Sequence, residues 1–437
     1  MTNEMIDTKP QPSALYRWLV LIFVSLAMFG NYYIYDSINP ITDLLKTGLG
    51  FTDSDIGSLN TAYSIAAIVI LLFSGMIIDK YGTKNTTLFF GILCTVAALV
   101  TALSPNYATM IFGRVLLGLG AEPLIVAITV ALAKWFKAKQ LGFAMGMNLL
   151  IARFGSWTAD RSPSFASGLF DNWQDPLYLA LAVSTMCIVG AVVYWILETN
   201  AEKKYFLGEA GETDKFNIKE IFKFSKSFWL ILALCVTFYS AIFPFRTFAT
   251  KFFMEAHGLG RIDASALNSF LPLASMFATP LIGLLVDYKG KRATFMMFGS
   301  ILILPVYLLM AYTDLAPLSI IVFGEYLYLP IIFMGIAFSL IPAIMWPSVA
   351  YLVEEKRLGT GYAIMALIQQ AGVAAMNWAI GSANDFSGAS ASNPDGYNLG
   401  MWMFSALGIV GFVFAYFLRK EELGPNGHGL EKGMASD

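Results

Sequence analysis

Two charged residues sit where an apolar chain tolerates charge least, and their types define the chemistry to be explained. The stretch from Tyr107 to about Gly168 reads as two long apolar segments joined by the basic loop Lys134-Trp135-Phe136-Lys137-Ala138-Lys139, with Glu122 in the first segment and Arg153 in the second. Counted from Lys137, Glu122 lies 15 residues back and Arg153 lies 16 residues on. At about 1.5 Å per helical residue both stand roughly 23 Å from the loop, near the middle of a bilayer. A charge at that depth costs about 2.5–3.5 kcal/mol on insertion scales, so each side chain is expected to face a polar interior and to meet a partner or a ligand. A carboxylate and a guanidinium at one height can read a zwitterion, the arginine gripping a carboxylate with two parallel bonds that lysine cannot make. The alternative is that the two close on each other as a structural bridge, at a desolvation cost that packed apolar residues would avoid.

Composition names the elements that must position them. The 437 residues are 57% hydrophobic and only 13% charged, against about 25% charged in soluble domains, which describes a polytopic membrane protein. A net charge of −2 leaves no electrostatic case for nucleic acid. Cys94, Cys187 and Cys235 all fall inside apolar runs with neither CxxC nor metal-ligand spacing and read as packing residues. With His257 and His428 outside those runs, no metal and no cofactor are expected. No nucleophile, base and orienter set is visible, so an enzyme is not expected. Met1–Ser13 lacks the basic-then-apolar order of a cleaved signal peptide, and the first span is expected to stay as an anchor.

Apolar stretches of spanning length occur near residues 16–35, 56–78, 86–103, 107–132, 141–168 and 176–197, and again near 228–253, 264–286, 293–311, 330–353, 360–380 and 399–418. The expected organisation is a six-helix half over residues 1–197, a cytoplasmic linker over 198–226 and a second six-helix half with a cytoplasmic tail over 227–437. With both termini inside, only Lys46, Lys251 and Arg261 of the 28 basic residues fall in outer loops. Arg114, Arg153, Arg161 and Arg246 fall well within spans, and the rest, with Arg17 counted at the inner end of its span as Lys251 is at the outer end of its own, lie in inner loops, linker and tails. An extra apolar piece, Leu318–Leu329, is expected to lie along the outer surface, with an extended helix as the alternative, leaving Glu325 near water.

The two halves share a repeat. Gly75, Asp79, Lys80, Gly82 and Lys84 follow the second span, and Gly283, Asp287, Gly290, Lys291 and Arg292 follow the eighth, with the same Gly-x-x-x-Asp-x-x-Gly spacing at an offset of 208 residues. An aspartate at the carboxyl end of its own helix faces the wrong pole of the helix dipole, so Asp79 and Asp287 should be answered by the neighbouring basic residues or by a helix amino terminus. Gly75 and Gly283 would permit close helix approach. The set is expected to form an inner-face latch that gates the cavity.

These residues resemble the major facilitator superfamily over essentially the whole chain, departing at Thr83, where a basic residue is common. More narrowly the chain is similar to the branch that holds the lysosomal dipeptide transporters. The resemblance lies in Tyr32-Tyr33-Ile34-Tyr35-Asp36, Gly113-Arg114 with Gly118-Leu119-Gly120-Ala121-Glu122, and Ala152-Arg153-Phe154-Gly155-Ser156. In the second half it lies in Phe243-Pro244-Phe245, Trp346-Pro347, Leu358-Gly359-Thr360-Gly361-Tyr362 and Ile368-Gln369-Gln370. It implies an all-α membrane protein of twelve transmembrane helices in two six-helix halves, the major facilitator fold. It also implies dipeptide transport by alternating access, with Glu122 on the peptide ammonium and Arg153 on its carboxylate. Arg246, Asp160 with Arg161, and the 318–329 piece depart from that branch.

Tyr33, Asp36, Tyr239, Trp346, Gln369 and Gln370 are candidate cavity walls, supplying hydrogen bonds and a flat surface without fixing side-chain identity. Arg246 joins them in a rival reading, a facilitator of small organic anions with Arg153 and Arg246 as paired carboxylate grips and Glu122 as a proton site. A membrane sensor or scaffold is the reading from another class. Asp160 is expected to pair with Arg161, Arg246 or Arg114, or to form an outer gate. The expected partners are a small-molecule substrate and the lipid bilayer, the expected state is a monomer, and no acidic dileucine signal is visible in Met1–Ser13. The N-x-S/T sequon Asn85-Thr86-Thr87 falls on the cytoplasmic side. A bacterial-type plasma membrane is the expected location.

Overall fold

The computed structural model describes residues 10–136, 140–205, 207, 223–322, 325–354, 357–425 and 427–432. Expectations that fall on the tail before residue 10, on loop residues 137–139, on most of the linker and on the Glu325 side chain lie outside the described residues.

The chain runs α1 (Ala14–Asp36), a short α2 (Thr42–Leu49), α3 (Asp53–Ala102), α4 (Tyr107–Phe136), α5 (Leu141–Phe165) and α6 (Asp175–Lys204). After the linker come α7 (Lys226–His257), α8 (Arg261–Lys289), α9 (Arg292–Tyr312), α10 (Leu329–Leu352), α11 (Leu358–Phe386) and α12 (Asn398–Glu422). The 50 residues of α3 would reach roughly 75 Å if straight, far more than a bilayer. They form two arms that meet at Gly82, whose φ of 77° and ψ of 161° no helix accommodates. Gly290, the matching glycine of the second repeat, also has positive φ, 67°. Among the described residues, ten helical segments are long and apolar enough to cross a membrane. Counting the arms of α3 separately, and adding α5, whose Arg153, Asp160 and Arg161 lower its hydropathy, brings the spans among the described residues to twelve. Pro244 and Pro347 sit inside α7 and α10.

Successive spans alternate in direction, which sorts the connections onto two sides. The start of α1, Gly82, the end of α6, the start of α7 and the end of α12 lie on one side, called here the terminal side; α2 and the α7–α8 turn lie on the opposite side, together with a β-hairpin. That hairpin corrects the reading of residues 318–329 as a surface-lying or helical piece. Strand β1 (Ser319–Val322) pairs antiparallel with β2 (Glu325–Tyr328), Ser319 opposite Tyr328 and Ile320 opposite Leu327. β-Branched and aromatic residues in two short runs favour a pleated pair over a helix.

On the hairpin side the two halves are sewn together. The Asp385 carboxylate of α11 accepts from the backbone N–H groups of Asp53 (2.9 Å) and Ser54 (2.7 Å), capping the start of α3 from the other half. Lys251 of α7 donates to Asp53 at 3.0 Å, and Lys46 reaches the same carboxylate at 2.6 Å. Arg261 of α8 grips Asp43 of α2 with two bonds, 2.7 and 2.6 Å. Glycines allow this closeness: a Cβ on Gly57 would stand 2.2 Å from the Asn377 carbonyl oxygen, and one on Gly381 2.2 Å from that of Asp53. Gly381→Val is therefore expected to wedge the α3–α11 seam. Overpacking costs about 1–3 kcal/mol, which shifts closure of the seam by roughly five- to 150-fold. Transport in proteoliposomes should fall accordingly, while a cysteine introduced at Ser54 becomes more accessible to a hairpin-side thiol reagent; unchanged labelling would contradict the wedge.

The repeat residues behave differently. Asp287 is answered within its own half by Arg292 at 2.6 Å, and the Arg292 guanidinium lies 4.4 Å from the Tyr351 ring centroid. A Cβ on Gly283 would meet nothing within 4 Å, so close helix approach at this glycine, expected from the sequence, is absent here. The reason is that the seam is on the opposite side of the protein, near the start of α8 rather than its end.

Candidate functional site

Beneath the seam a cavity of about 610 Å³ lies between the halves, within the usual range for small-molecule sites. Glu122 of α4 and Arg153 of α5 both line it, together with Asn31, Tyr32 and Tyr35 of α1 and Tyr63 of α3. The second half contributes Tyr239 and Phe243 of α7, Trp346 of α10, and Gln369 and Gln370 of α11. Toward the terminal side the lining continues to Leu71, Leu149, Thr279 and Ala366.

Glu122 and Arg153 do not bridge each other. The Glu122 Oε1 accepts from the Tyr63 hydroxyl and from the Gln370 amide nitrogen, each at 2.9 Å. Gln370 is fixed in turn by the Ser64 hydroxyl, which donates to its Oε1 at 3.0 Å. The Arg153 guanidinium lies over two rings, 5.7 Å from the Tyr32 centroid and 5.1 Å from that of Phe338, one from each half. Its Nε has no hydrogen-bond partner. The two charges thus rest on neutral donors and on aromatic faces. A ligand carboxylate would gain far more from Arg153 than either ring does.

The aromatic walls are themselves held. Trp346 Nε1 donates to the Tyr239 hydroxyl at 2.9 Å and stacks on Tyr362 at 6.1 Å, while Tyr239 stacks on Phe243 at 5.5 Å. Arg114, 1% exposed, donates to the Tyr35 carbonyl at 3.2 Å and to Asn60 Oδ1, and lies 5.3 and 5.6 Å from the Tyr35 and Tyr63 ring centroids. Its place is behind the wall, orienting two tyrosines.

Three expected wall residues are elsewhere. Tyr33 is 2% exposed and packs with Phe29, Ala159 and Ala180; one residue of helix turns it about 100° away from Tyr32. Asp36 and Arg246 lie in the seam above the cavity. Arg246 donates through one nitrogen to Asp160 Oδ2 at 2.7 Å and stands 3.3 Å from Asp36 Oδ2. Asn39 donates to Asp36 at 3.1 Å and to Asp160 at 3.0 Å, and Asn268 donates to Asp160 at 3.1 Å. All three charges are at most 2% exposed. Among the partners open to Asp160, the structure selects Arg246, and the guanidinium is committed to two carboxylates. Sequence reasoning did not select Asn31, Tyr32, Tyr35 and Tyr63. The signal for one pair was available, since Tyr32 and Tyr35 are three apart and share a helix face.

The Major Facilitator Superfamily model matches residues 24–377. The chain belongs to the major facilitator superfamily. It is a multi-pass membrane transporter of a small molecule, not an enzyme. Its relatives include the lysosomal dipeptide transporter MFSD1 of Danio rerio, 31% identical over 389 residues that cover 86% of this chain and 82% of that protein. The Homo sapiens protein of the same name is 29% identical over 394 residues, again 86% and 82%. Among solved structures, a bacterial homologue of the human lysosomal transporter Spinster, in an inward-facing and unoccupied conformation, superposes with a TM-score of 0.75 at 15% identity. The match covers 94% of this chain and 98% of that one, a likeness of fold. This architecture places the substrate between two six-helix halves, where the cavity lies.

Proposed function

We propose that this member of the superfamily transports dipeptides by alternating access, Arg153 holding the peptide carboxylate and Glu122 the peptide ammonium. The observation that carries the reading is one carboxylate and one guanidinium, on neighbouring helices, facing one cavity whose remaining walls are aromatic, aliphatic and neutral polar. Such a site binds two charged ends and leaves the side chains between them unspecified. The relatives named dipeptide transporters support the same substrate class.

Length selection follows from the clamp. One added residue lengthens an extended ligand by about 3.3–3.6 Å, enough to lose one of the two end contacts, so dipeptides outcompete tripeptides and free amino acids. The anion reading needs Arg246 as a second grip, and Arg246 is bound to Asp36 and Asp160 outside the cavity. The sorting of lysine and arginine puts the terminal side in the cytoplasm of a bacterial-type plasma membrane; the seam then closes the outside and the cavity faces in. In this cycle the repeat residues around Asp79 and Asp287 latch the halves when the cavity faces out. The protein acts as a monomer, each chain carrying a whole site. Uptake into proteoliposomes tests the substrate class: labelled dipeptides should accumulate and be competed by other dipeptides. Competition by dicarboxylates at equal potency would instead favour the anion facilitator.

A further inference from the structure

Gln370 is on α11, in the second half, yet both ends of its amide are engaged by the first half: Nε2 donates to Glu122 Oε1 at 2.9 Å and Oε1 accepts from Ser64 at 3.0 Å. An amide NH₂ offers a carboxylate the same donor chemistry as an ammonium. Because Ser64 fixes which end of the amide faces Glu122, that donor is aimed rather than free to turn. It sits on the carboxylate that the proposed substrate's amino group must use.

We propose, building on the dipeptide reading, that Gln370 is a positioning residue that stands in for the substrate ammonium at Glu122 during the substrate-free leg of the transport cycle. A carboxylate carried through the middle of a bilayer protein needs donors at every stage. With substrate bound, the ammonium supplies them. Without substrate, Tyr63 and Gln370 do, and Gln370 does so from the opposite half, which keeps the two halves in register as they rock. Substrate arrival displaces the amide from Glu122, so the same contact that eases the return step competes with loading.

The consequence separates two kinds of flux. Net uptake requires the substrate-free return, whereas exchange of internal for external substrate does not. In Gln370→Ala, the ratio of net uptake of labelled alanylalanine into proteoliposomes to counterflow against internal alanylalanine should fall about tenfold or more relative to the parent. Removing the competitor should also tighten alanylalanine binding by roughly two- to tenfold, the range of one net hydrogen bond. Ser64→Ala, which leaves the amide in place but loosens its aim, should shift the ratio of net uptake to counterflow in the same direction by a smaller factor. It provides the test if the glutamine variant folds poorly. A parallel loss of both fluxes with weaker binding in Ser64→Ala and Gln370→Ala would overturn the proposal in favour of a structural role, as would no change in either flux. Failure of the parent protein to move alanylalanine at all is a different result, and it would overturn the dipeptide reading itself.

Discussion

Arg153→Ala should leave a folded protein that no longer binds dipeptides. A charge-assisted pair at a buried site is worth about 2–5 kcal/mol on truncation, so affinity should drop by roughly 30-fold to well over 1000-fold. The fold should hardly notice. Arg153 lies over Tyr32 and Phe338 and its Nε bonds to nothing, so truncation removes no hydrogen bond there and leaves no partner orphaned. Arg153→Lys should recover little, because a point charge cannot form the two-bond grip. Glu122→Gln should weaken binding as well, since the neutral amide loses attraction for an ammonium while still able to meet Tyr63. The check is thermal stabilisation by ligand, which grows with occupancy of the native state. Loss of the ligand-induced shift at an unchanged ligand-free melting temperature is the expected pattern for Arg153→Ala. A variant that keeps the parent's shift would remove Arg153 from the site.

Arg246→Ala should act in the opposite way, through the structure. It strips the only guanidinium contacting Asp36 and Asp160 among the described residues, both within the seam and at most 2% exposed. Breaking a buried pair from one side costs about 3–5 kcal/mol, because it leaves charge uncompensated. The hairpin-side seam should open, seen as increased labelling of a cysteine at Ser54, and the melting temperature should fall. Replacing all three groups with neutral residues, Arg246→Met with Asp36→Asn and Asp160→Asn, should restore much of the stability, as buried ion clusters often tolerate neutral replacement. If Arg246→Ala instead kept the seam closed and lost ligand binding as severely as Arg153→Ala, Arg246 would be a substrate grip and the anion reading would revive.

What the sequence exposed and what it hid follow from distance along the chain. Twelve spans were legible because hydropathy is a local property, and the two arms of α3 were counted as separate spans on that ground; the positive φ that Gly82 shares with Gly290 was not. Glu122 and Arg153 were legible as a pair because each could be placed at a depth by counting from one short loop. The seam was not. Asp160 and Arg246 are 86 residues apart and belong to different halves, so which cation answers which acid depends on how the halves dock. The tyrosines of α1 show the finer limit. The stretch Tyr32 to Asp36 carried the resemblance and offered Tyr33 and Asp36 as wall residues, yet only the rotation of the helix decides that Tyr32 and Tyr35 face the cavity while Tyr33 packs against Phe29 and Ala159. The hairpin was hidden because a short apolar run looks alike whether it forms a strand or part of a helix.

The central claim is that the site reads both ends of a dipeptide, and capping each end tests it most directly. Thermal stabilisation of the purified protein should be measured with alanylalanine, its N-acetyl form, its C-terminal amide and trialanine, at matched concentrations. A two-ended clamp expects stabilisation by alanylalanine alone, with each cap removing about as much as the loss of Glu122 or Arg153. Equal stabilisation by the N-acetyl form would contradict it, leaving a site that binds only a carboxylate.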